Sequence, residues 1–462
     1  MNSKQFDVII VGAGPAGIIA AMQLAKQDLS VCLLEKEQFP RDKTCGDALS
    51  VDVLNQFEMI DTDLAKRFEK FAHKTPSYGV KIVAPNQQFL DIPFYYKGEK
   101  KFGYISKRID FDNFLFEELK QFNNITIVEN CRVLDVVVSD EFVSVDVKLL
   151  HRDSQRNTEI HRELLSDSAT LRDAKLLHRD SQRNTEIHRE LLGYSANSKS
   201  KIQNSKFKTN VVLGADGAHS IVNKKTIQNK VEHNHYSAGL RVYYKNVSNF
   251  HEENFIELHF FKDVLPGYLW IFPLPNNEAN IGIGMLSSYV SKKKVNLKKV
   301  LADLIQNHPN LKERFKNAEP LETMKGFGLP LGSKKRKISS NRVLLLGDAA
   351  GLIDPFSGEG IANAIRSGRV AAERLKKCFE LNDFSKVQTF KYDKEIYRLM
   401  SKEFKVSRTL QNLCKYPKLF NFVVNKANKN DALREFLIGT LEDVEKKKLL
   451  TKPSFYYRLF FK

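Results

Sequence analysis

The stretch Phe6-Asp7-Val8-Ile9-Ile10-Val11-Gly12-Ala13-Gly14-Pro15-Ala16-Gly17 decides the fold. Its apolar run, Val8 to Val11, is typical of a buried parallel strand, and three glycines follow at the Gly-x-Gly-x-x-Gly spacing. A helix-forming run, Ile18 to Lys26, and a second strand, Val31 to Leu34, come next. An acid, Glu35, then stands 21 residues after Gly14. This order of strand, glycine turn, helix, strand and acid predicts a dinucleotide-binding unit.

Each residue of the motif has a predicted role in binding a dinucleotide. Gly12 allows the tight turn, Gly14 lets the backbone approach a pyrophosphate, and Gly17 lets the helix pack closely on the strand. The phosphates would lie on the unpaired N–H groups at the helix N-terminus, and Glu35 would accept hydrogen bonds from ribose hydroxyls. The predicted cofactor-binding residues of this unit are Gly12, Gly14, Pro15, Ala16, Gly17, Glu35 and Lys36.

The overall composition indicates a globular protein of two or three domains. The chain has 462 residues, of which 42% are apolar and 28% are charged. It contains no spanning apolar run and no signal-peptide pattern, and its five cysteines form no Cys-x-x-Cys pair. We therefore expect a protein of a reducing compartment, cytoplasmic, without disulfides and without a bound metal.

Basic residues outnumber acidic ones, 73 against 55, which gives a formal net charge of +18. Such an excess suits an anionic partner such as nucleic acid, phospholipid headgroups or a phosphorylated substrate, and it equally suits a basic surface with no partner. The basic residues are spread along the chain, and no zinc-finger or RNA-binding signature accompanies them. We therefore expect no nucleic-acid partner.

An exact repeat interrupts the chain. The sequence KLLHRDSQRNTEIHRELL occurs at Lys148–Leu165 and again at Lys175–Leu192. Because two polar copies cannot build a solenoid, we predict a duplicated surface insertion, Leu149 to Ser205, on a hairpin. Its histidines lack the spacing of metal ligands.

A second strand-to-loop signal, Leu344-Leu345-Leu346-Gly347-Asp348-Ala349-Ala350-Gly351, precedes a long predicted helix, Ile361 to Lys376. An acid at a strand end can bind a ribose or ribityl hydroxyl, and the helix N-terminus can stabilise negative charge on a flavin ring. The predicted cofactor-binding residues here are Gly347, Asp348, Pro355, Gly358, Gly360 and Ile361.

With both motifs in one chain, the sequence resembles the FAD enzymes of the para-hydroxybenzoate hydroxylase fold, from residue 6 to about residue 376. The resemblance implies that Arg108 contacts the flavin nucleotide and that the turn with Asp216 lies against the cofactor domain. It implies an α/β fold: a discontinuous, doubly wound, Rossmann-like FAD-binding domain, a mixed-sheet substrate domain and a C-terminal helical region. The corresponding ranges are 1–77, 105–230 and 330–385 for the first, 78–104 and 231–329 for the second, and 386–462 for the third.

Two further segments resemble the geranylgeranyl reductase family, including digeranylgeranylglycerophospholipid reductases. They are Pro40-x-x-Lys43-x-Cys45-Gly46-Asp47 and the Tyr-x-Trp-x-Phe-Pro segment Tyr268–Pro273. Members of this family hydrogenate isolated C=C bonds of prenyl chains. The resemblance therefore implies FAD as cofactor, a prenyl lipid or quinone as substrate, and NADPH or ferredoxin as electron donor, between which the sequence does not choose.

Such a reaction needs a hydride from the flavin and a nearby proton, inside an apolar tunnel. Because Tyr268, Trp270 and Phe272 alternate along a strand, we expect them to form an aromatic wall on one face. Cys45 could donate the proton, tune the flavin ring or make a charge-transfer contact, and a water held by glycine backbone could replace it. The candidate catalytic residues are Cys45, Gly46, Asp47, Tyr268 and Trp270, and Cys45 and Gly46 are also candidates for cofactor contact.

Other readings of the sequence are an aromatic monooxygenase on the same fold and a basic membrane- or nucleic-acid-binding flavoprotein without turnover. A halogenase is disfavoured because its Trp-x-Trp-x-Ile-Pro segment is absent. The resemblance implies that the C-terminal region closes the tunnel. Its basic and aromatic content also suits a contact with anionic lipid at the inner face of the membrane, and it equally suits a helical cap on the core. We expect a monomer.

Overall fold

The computed structural model describes residues 4–96, 99–150, 204–442 and 444–461. The two copies of the repeat fall almost wholly outside these ranges, so the predicted insertion lies outside the described residues. The strands that flank it pair with each other antiparallel, with Lys148 opposite Asn204.

The described strands are β1 (Lys4–Val11), β2 (Val31–Leu34), β3 (Ala48–Leu49), β4 (Thr75–Ser77), β5 (Gly79–Val83), β6 (Phe89–Pro93), β7 (Tyr95–Tyr96), β8 (Glu99–Lys100), β9 (Gly103–Ile105), β10 (Ile125–Val128), β11 (Cys131–Val138), β12 (Val143–Leu149), β13 (Asn204–Gly214), β14 (Tyr236–Lys245), β15 (Ile256–His259), β16 (Tyr268–Leu274), β17 (Glu278–Leu286), β18 (Glu319–Pro320), β19 (Lys325–Pro330), β20 (Ser339–Ser340) and β21 (Val343–Leu345).

The described α-helices are α1 (Pro15–Ala25), α2 (Val51–Ile60), α3 (Thr62–Lys70), α4 (Arg108–Glu117), α5 (Ile221–Lys225), α6 (Ser287–Lys293), α7 (Leu297–Asn307), α8 (Pro309–Lys312), α9 (Gly347–Ala350), α10 (Ile361–Glu380), α11 (Lys386–Leu413), α12 (Pro417–Ala427), α13 (Asp431–Glu442), α14 (Val444–Leu449) and α15 (Pro453–Phe461).

The first large sheet has the order β10-β2-β1-β13-β12-β11, with β21 also paired to β13 and β20 to β21. The strands β10, β2, β1, β13 and β21 run parallel, whereas β12 and β11 join antiparallel. The buried strand β1 is apolar throughout its second half because both of its neighbours are parallel strands and both of its faces are covered. Gly368 brings α10 directly onto the backbone of α1 at Ala16.

The second large sheet has the order β18-β14-β17-β16-β15-β5-β6, with β19 also on β14. Its own apolar core contains Leu269, Ile271, Ile281 and Ile283 and is separate from the core of the first sheet. A small sheet, β3-β9-β4, lies beside α2. The sequence alone predicts a helix from Ala48 to Glu58, but Ala48 and Leu49 instead form a strand paired with β9, and α2 begins only at Val51.

The C-terminal part of the described chain is helical, and its longest helix is α11 with 28 residues. Leu433 and Leu437 pack with Leu90 and Ile92 of β6, so this region caps an edge of the second sheet. No helix in the described ranges combines the length and apolarity that a bilayer crossing requires. The predicted fold class is confirmed, and the predicted domain boundaries remain a proposal.

Candidate active site

The carboxyl ends of the parallel strands bring distant motifs together. In register, Val11 of β1 lies beside Leu34 of β2 and Gly214 of β13, and Gly214 lies beside Leu345 of β21. The glycine turn, Glu35, the turn with Asp216, and Gly347-Asp348 therefore leave the sheet at one edge. In open α/β sheets this edge is where ligands bind.

Gly12 is at the centre of this edge. Its φ of +100° favours glycine, and a Cβ there would lie 2.5 Å from the carbonyl oxygen of Ala215. The turn with Asp216 thus lies directly on the glycine turn. The Asp216 carboxylate accepts a 2.6 Å hydrogen bond from the Ile221 N–H at the start of α5, and its cofactor contact stays a prediction.

The start of α1 fits a pyrophosphate. Gly14 is the N-cap of the helix, no side chain caps it, and Pro15 occupies its first turn. No described atom lies within 4 Å of the position a Gly14 Cβ would take. The first N–H groups of the helix therefore have room for phosphate oxygens, which is the arrangement FAD requires.

Glu35 is buried next to this cradle. Its Oε2 accepts a 2.8 Å hydrogen bond from the Ala13 N–H, and its Oε1 accepts one of 3.1 Å from the Glu37 N–H. The carboxylate is thus oriented by the turn itself, as a ribose-binding acid must be. Lys36, in contrast, is exposed.

Arg41, which the sequence did not single out, reaches into the same place. Its guanidinium donates hydrogen bonds of 3.0 Å to the Ala13 carbonyl and 2.6 Å to Asp112 Oδ2, and it lies 3.8 Å from Glu35 Oε2. Arg108 is buried and donates two hydrogen bonds of 2.7 Å to Asp112. Burial lowers the pKa of Arg108, but the neighbouring Asp112 and Cys45 side chains favour the charged guanidinium and outweigh burial, so the net shift is upward.

The second predicted cofactor motif meets the first. A Cβ on Gly347 would lie 3.6 Å from Ala16 Cβ of α1, and Asp348 Oδ2 accepts a 3.1 Å hydrogen bond from Lys43 Nζ. Gly360, the N-cap of α10, is close enough that a Cβ there would lie 3.8 Å from Asp348 Oδ1. Ile361 begins that helix and is buried. Pro355 is buried in the preceding loop, and its carbonyl accepts a 2.6 Å hydrogen bond from Gln411.

The predicted aromatic wall is confirmed. Tyr268, Trp270 and Phe272 share one face of β16, with ring centroids 6.5 and 6.3 Å apart. Across from them on β17 stand Gly284, Gly282 and Asn280, and the absence of a side chain at Gly282 leaves space for Trp270, because a Cβ there would lie 2.0 Å from its Cζ2. The wall continues to the loop before α10, where the Tyr268 hydroxyl donates a 2.7 Å hydrogen bond to the Ser357 carbonyl, beside Gly358.

The Cys-Gly-Asp loop lies against this wall. A Cβ on Gly46 would lie 2.9 Å from Phe272 Cε2 and 3.7 Å from Trp270 Nε1, so only glycine allows this approach. Cys45 is half-buried, whereas Asp47 is fully buried with a φ of +69°.

Asp47 is held by two residues that the sequence did not single out. Its Oδ2 accepts hydrogen bonds of 2.6 Å from the Tyr243 hydroxyl and 2.8 Å from Asn280 Nδ2. Burial raises the pKa of Asp47 to about 6 because desolvation disfavours the carboxylate more than these donors stabilise it. No spacing in the sequence connects residues so far apart.

The described residues contain no group of three or more His, Cys, Asp or Glu side chains that could hold a metal ion. The predicted residues that converge are the glycine turn, Glu35, Gly347-Asp348, Gly360, the Cys-Gly-Asp loop and the aromatic wall.

Comparison with known proteins supports the FAD-binding fold. The family model for the FAD binding domain matches residues 5–380. Digeranylgeranylglycerophospholipid reductase of Methanococcus vannielii is 26% identical over 454 residues, covering 97% of this chain and 95% of that protein. Digeranylgeranylglycerophospholipid reductase 1 of Methanococcoides burtonii is 28% identical and covers 84% and 79%.

Solved structures show the same fold. A geranylgeranyl bacteriochlorophyll reductase-like protein of Thermoplasma acidophilum has a TM-score of 0.74 at 22% identity, covering 99% of both chains. The flavin-dependent brominase Bmp2 has a TM-score of 0.69 at 18% identity, covering 99% of this chain and 98% of that one. Since the family model matches well over half of the chain, the protein belongs to the FAD-binding domain family and is an FAD-dependent oxidoreductase, similar in sequence along most of its length to geranylgeranyl lipid reductases.

Proposed function

We propose that this protein saturates isolated C=C bonds in the polyprenyl chain of a lipid or quinone. The observation that carries the proposal is the contact of the Cys-Gly-Asp loop with the aromatic wall, beside Asp348 and the start of α10. Relatives that align over most of their length are named as reductases of a geranylgeranyl lipid.

The wall suits an apolar chain. Trp270 and Phe272 are buried at 5% and 7% exposure, and the polar N–H of Trp270 is already paired, since it donates a 2.9 Å hydrogen bond to Asn280 Oδ1. Such a surface can bind prenyl methyl groups by apolar contact and exclude water. When bound, reduced FAD supplies the hydride for one alkene carbon.

The second alkene carbon needs a proton, and we propose Cys45 as its source. Cys45 is half-buried, beside the buried Arg108 guanidinium, which can stabilise the thiolate left after proton transfer. The other four cysteines, Cys32, Cys131, Cys378 and Cys414, are buried.

Cys45→Ser is expected to lower prenyl reduction by roughly 10²- to 10⁴-fold, the usual contribution of a positioned acid, while FAD stays bound. Turnover per bound flavin is the measurement. Cys378→Ser, in the core at the far end of α10, is the matched control and should keep its turnover per flavin. Equal turnover in Cys45→Ser and the parent protein would remove Cys45 from the reaction.

The experiment that tests the function is mass spectrometry of a geranylgeranyl lipid after incubation with the reduced protein. A product that gains two hydrogens for each bond reduced is expected. A gain of oxygen would instead indicate a monooxygenase, and an unchanged lipid would contradict the proposal. Parallel reactions with NADPH and with reduced ferredoxin would identify the electron donor.

A further inference from the structure

We propose that Asn280 and Tyr243 are positioning residues, which hold the Asp47 carboxylate and thereby fix the Cys-Gly-Asp loop on the aromatic wall. This inference rests on the proposed function, because it concerns the same site. It assigns a task to a network that joins β14 and β17 of the second sheet to the Cys-Gly-Asp loop, beside the aromatic wall.

Asn280 is fully buried and uses its whole side-chain amide for this connection. Its Oδ1 accepts a 2.9 Å hydrogen bond from Trp270 Nε1. Its Nδ2 donates two hydrogen bonds of 2.8 Å, one to the Cys45 carbonyl and one to Asp47 Oδ2. One amide therefore determines the distance between the backbone of Cys45 and the ring of Trp270.

Tyr243 holds the same carboxylate from the neighbouring strand β14, with its hydroxyl 2.6 Å from Asp47 Oδ2. Behind its ring, the fully buried Arg241 stacks at 4.1 Å from the centroid. Arg241 is itself held by ion pairs to Asp42, at 2.7 Å, and Glu322. The hydroxyl is thus oriented by a packed cation as well as by its own hydrogen bond.

The Cys-Gly-Asp loop needs such support because the backbone conformation and the burial of Asp47 both cost free energy. Asp47 adopts a φ of +69°, and its carboxylate is out of contact with solvent. Within the described residues, Asp47 Oδ1 has no hydrogen-bond partner, so the two donors on Oδ2 carry the stabilisation of the charge. A buried carboxylate that lost either donor would favour a rearranged loop.

The charge state of Asp47 should therefore set the geometry of the loop. The titratable and charged groups that face it are Tyr243 and Arg241 from β14 and Arg108 from α4, with Asp42 beyond Arg241. Protonation of the carboxylate weakens the hydrogen bonds from Tyr243 and Asn280. Because the pKa of Asp47 is raised to about 6, the loop should loosen as the pH falls through that value.

Tyr243→Phe tests the proposal, with Tyr244→Phe as its matched control on the same strand. Tyr244 packs on Phe315 in the other core, away from Asp47. We expect kcat of Tyr243→Phe to fall on the order of 100-fold, the loss that a displacement of about 1 Å can cause in an oriented reaction. KM should change little, because the substrate face keeps its rings. The acidic midpoint of the rate profile should move to higher pH, because the carboxylate has lost a donor.

A second measurement needs no prenyl substrate. Trp270 is the only tryptophan of the chain, and its indole N–H donates a hydrogen bond to Asn280. Its fluorescence in the FAD-bound protein should change with a midpoint near pH 6. The midpoint should rise in Tyr243→Phe, stay in place in Tyr244→Phe and vanish in Asp47→Asn, which does not titrate.

The two measurements separate the possible failures. A tryptophan transition that follows this pattern in a protein without prenyl reduction would support the network and contradict the proposed function. A Tyr243→Phe protein with parental kcat, rate profile and tryptophan midpoint would overturn the network. The amount of bound flavin and the melting temperature are recorded for each variant. If the Tyr243→Phe protein cannot be purified with FAD, Asn280→Asp replaces it. The same loss of kcat and the same rise of the midpoint are expected for Asn280→Asp.

Discussion

Gly14→Val should abolish stable FAD binding while leaving the protein folded. Gly14 has an extended φ of −80°, which any residue can adopt, and no described atom lies within 4 Å of its Cβ position. The valine side chain would instead fill the phosphate cradle at the start of α1. Losing two charge-assisted hydrogen bonds at about 1.5 kcal/mol each would weaken binding more than roughly 100-fold.

The absorbance of the flavin that copurifies with the protein measures this effect, together with the melting temperature of the flavin-free protein. Gly326→Ala is the matched control, because its new Cβ would make an ordinary 3.4 Å contact with Leu240 in the second sheet. We expect the control to retain its flavin. A yellow Gly14→Val protein with parental affinity for FAD would refute the placement of the pyrophosphate.

Glu257→Gln should destabilise the second sheet by about 3 to 5 kcal/mol, the usual cost of breaking a buried ion pair. Arg314 donates hydrogen bonds of 2.7 and 2.9 Å to the two carboxylate oxygens, and His259 Nε2 lies 2.9 Å from Oε2. All three side chains are buried. Without the carboxylate, the Arg314 guanidinium would stay in the core beside a neutral amide.

The same cluster predicts a pH dependence of stability. Burial alone would raise the pKa of Glu257, but the hydrogen bonds from His259 and Arg314 outweigh it and lower the pKa to about 2. A lowered pKa in the folded state means that this stabilisation is complete above the ordinary value of 4.5 and is lost as the pH falls towards 2.

Calorimetry of the parent protein, Glu257→Gln and Glu395→Gln from pH 7 to pH 3 measures both effects. Glu395 pairs with Arg398 on the exposed side of α11, so its variant should melt like the parent protein. If Glu257→Gln melts like the parent protein at pH 7, the cluster does not stabilise the fold as inferred.

Local sequence was sufficient for the elements whose signal is contained in a few neighbouring residues. Gly12 and Gly17 predict their turn because the φ of +100° at Gly12 and the close helix contact at Gly17 each demand glycine, and Gly14 between them keeps the start of α1 open for phosphates. The alternation of Tyr268, Trp270 and Phe272 predicts their common face because side chains alternate along a strand. The sequence prediction places the start of α2 too early, because Ala48 and Leu49 pair with β9, a strand more than 50 residues further along the chain.

The sequence by itself thus determined the FAD-binding motifs, the α/β class and the aromatic wall, since backbone periodicity and glycine geometry are local properties. Only the tertiary structure decided that Asn280, Tyr243 and Arg41 meet the motifs. Asn280 is 233 positions from Asp47, and Tyr243 is 196 positions from it. Hydrogen bonds between such residues depend on the packing of one sheet against another, which no pattern of neighbouring residues encodes.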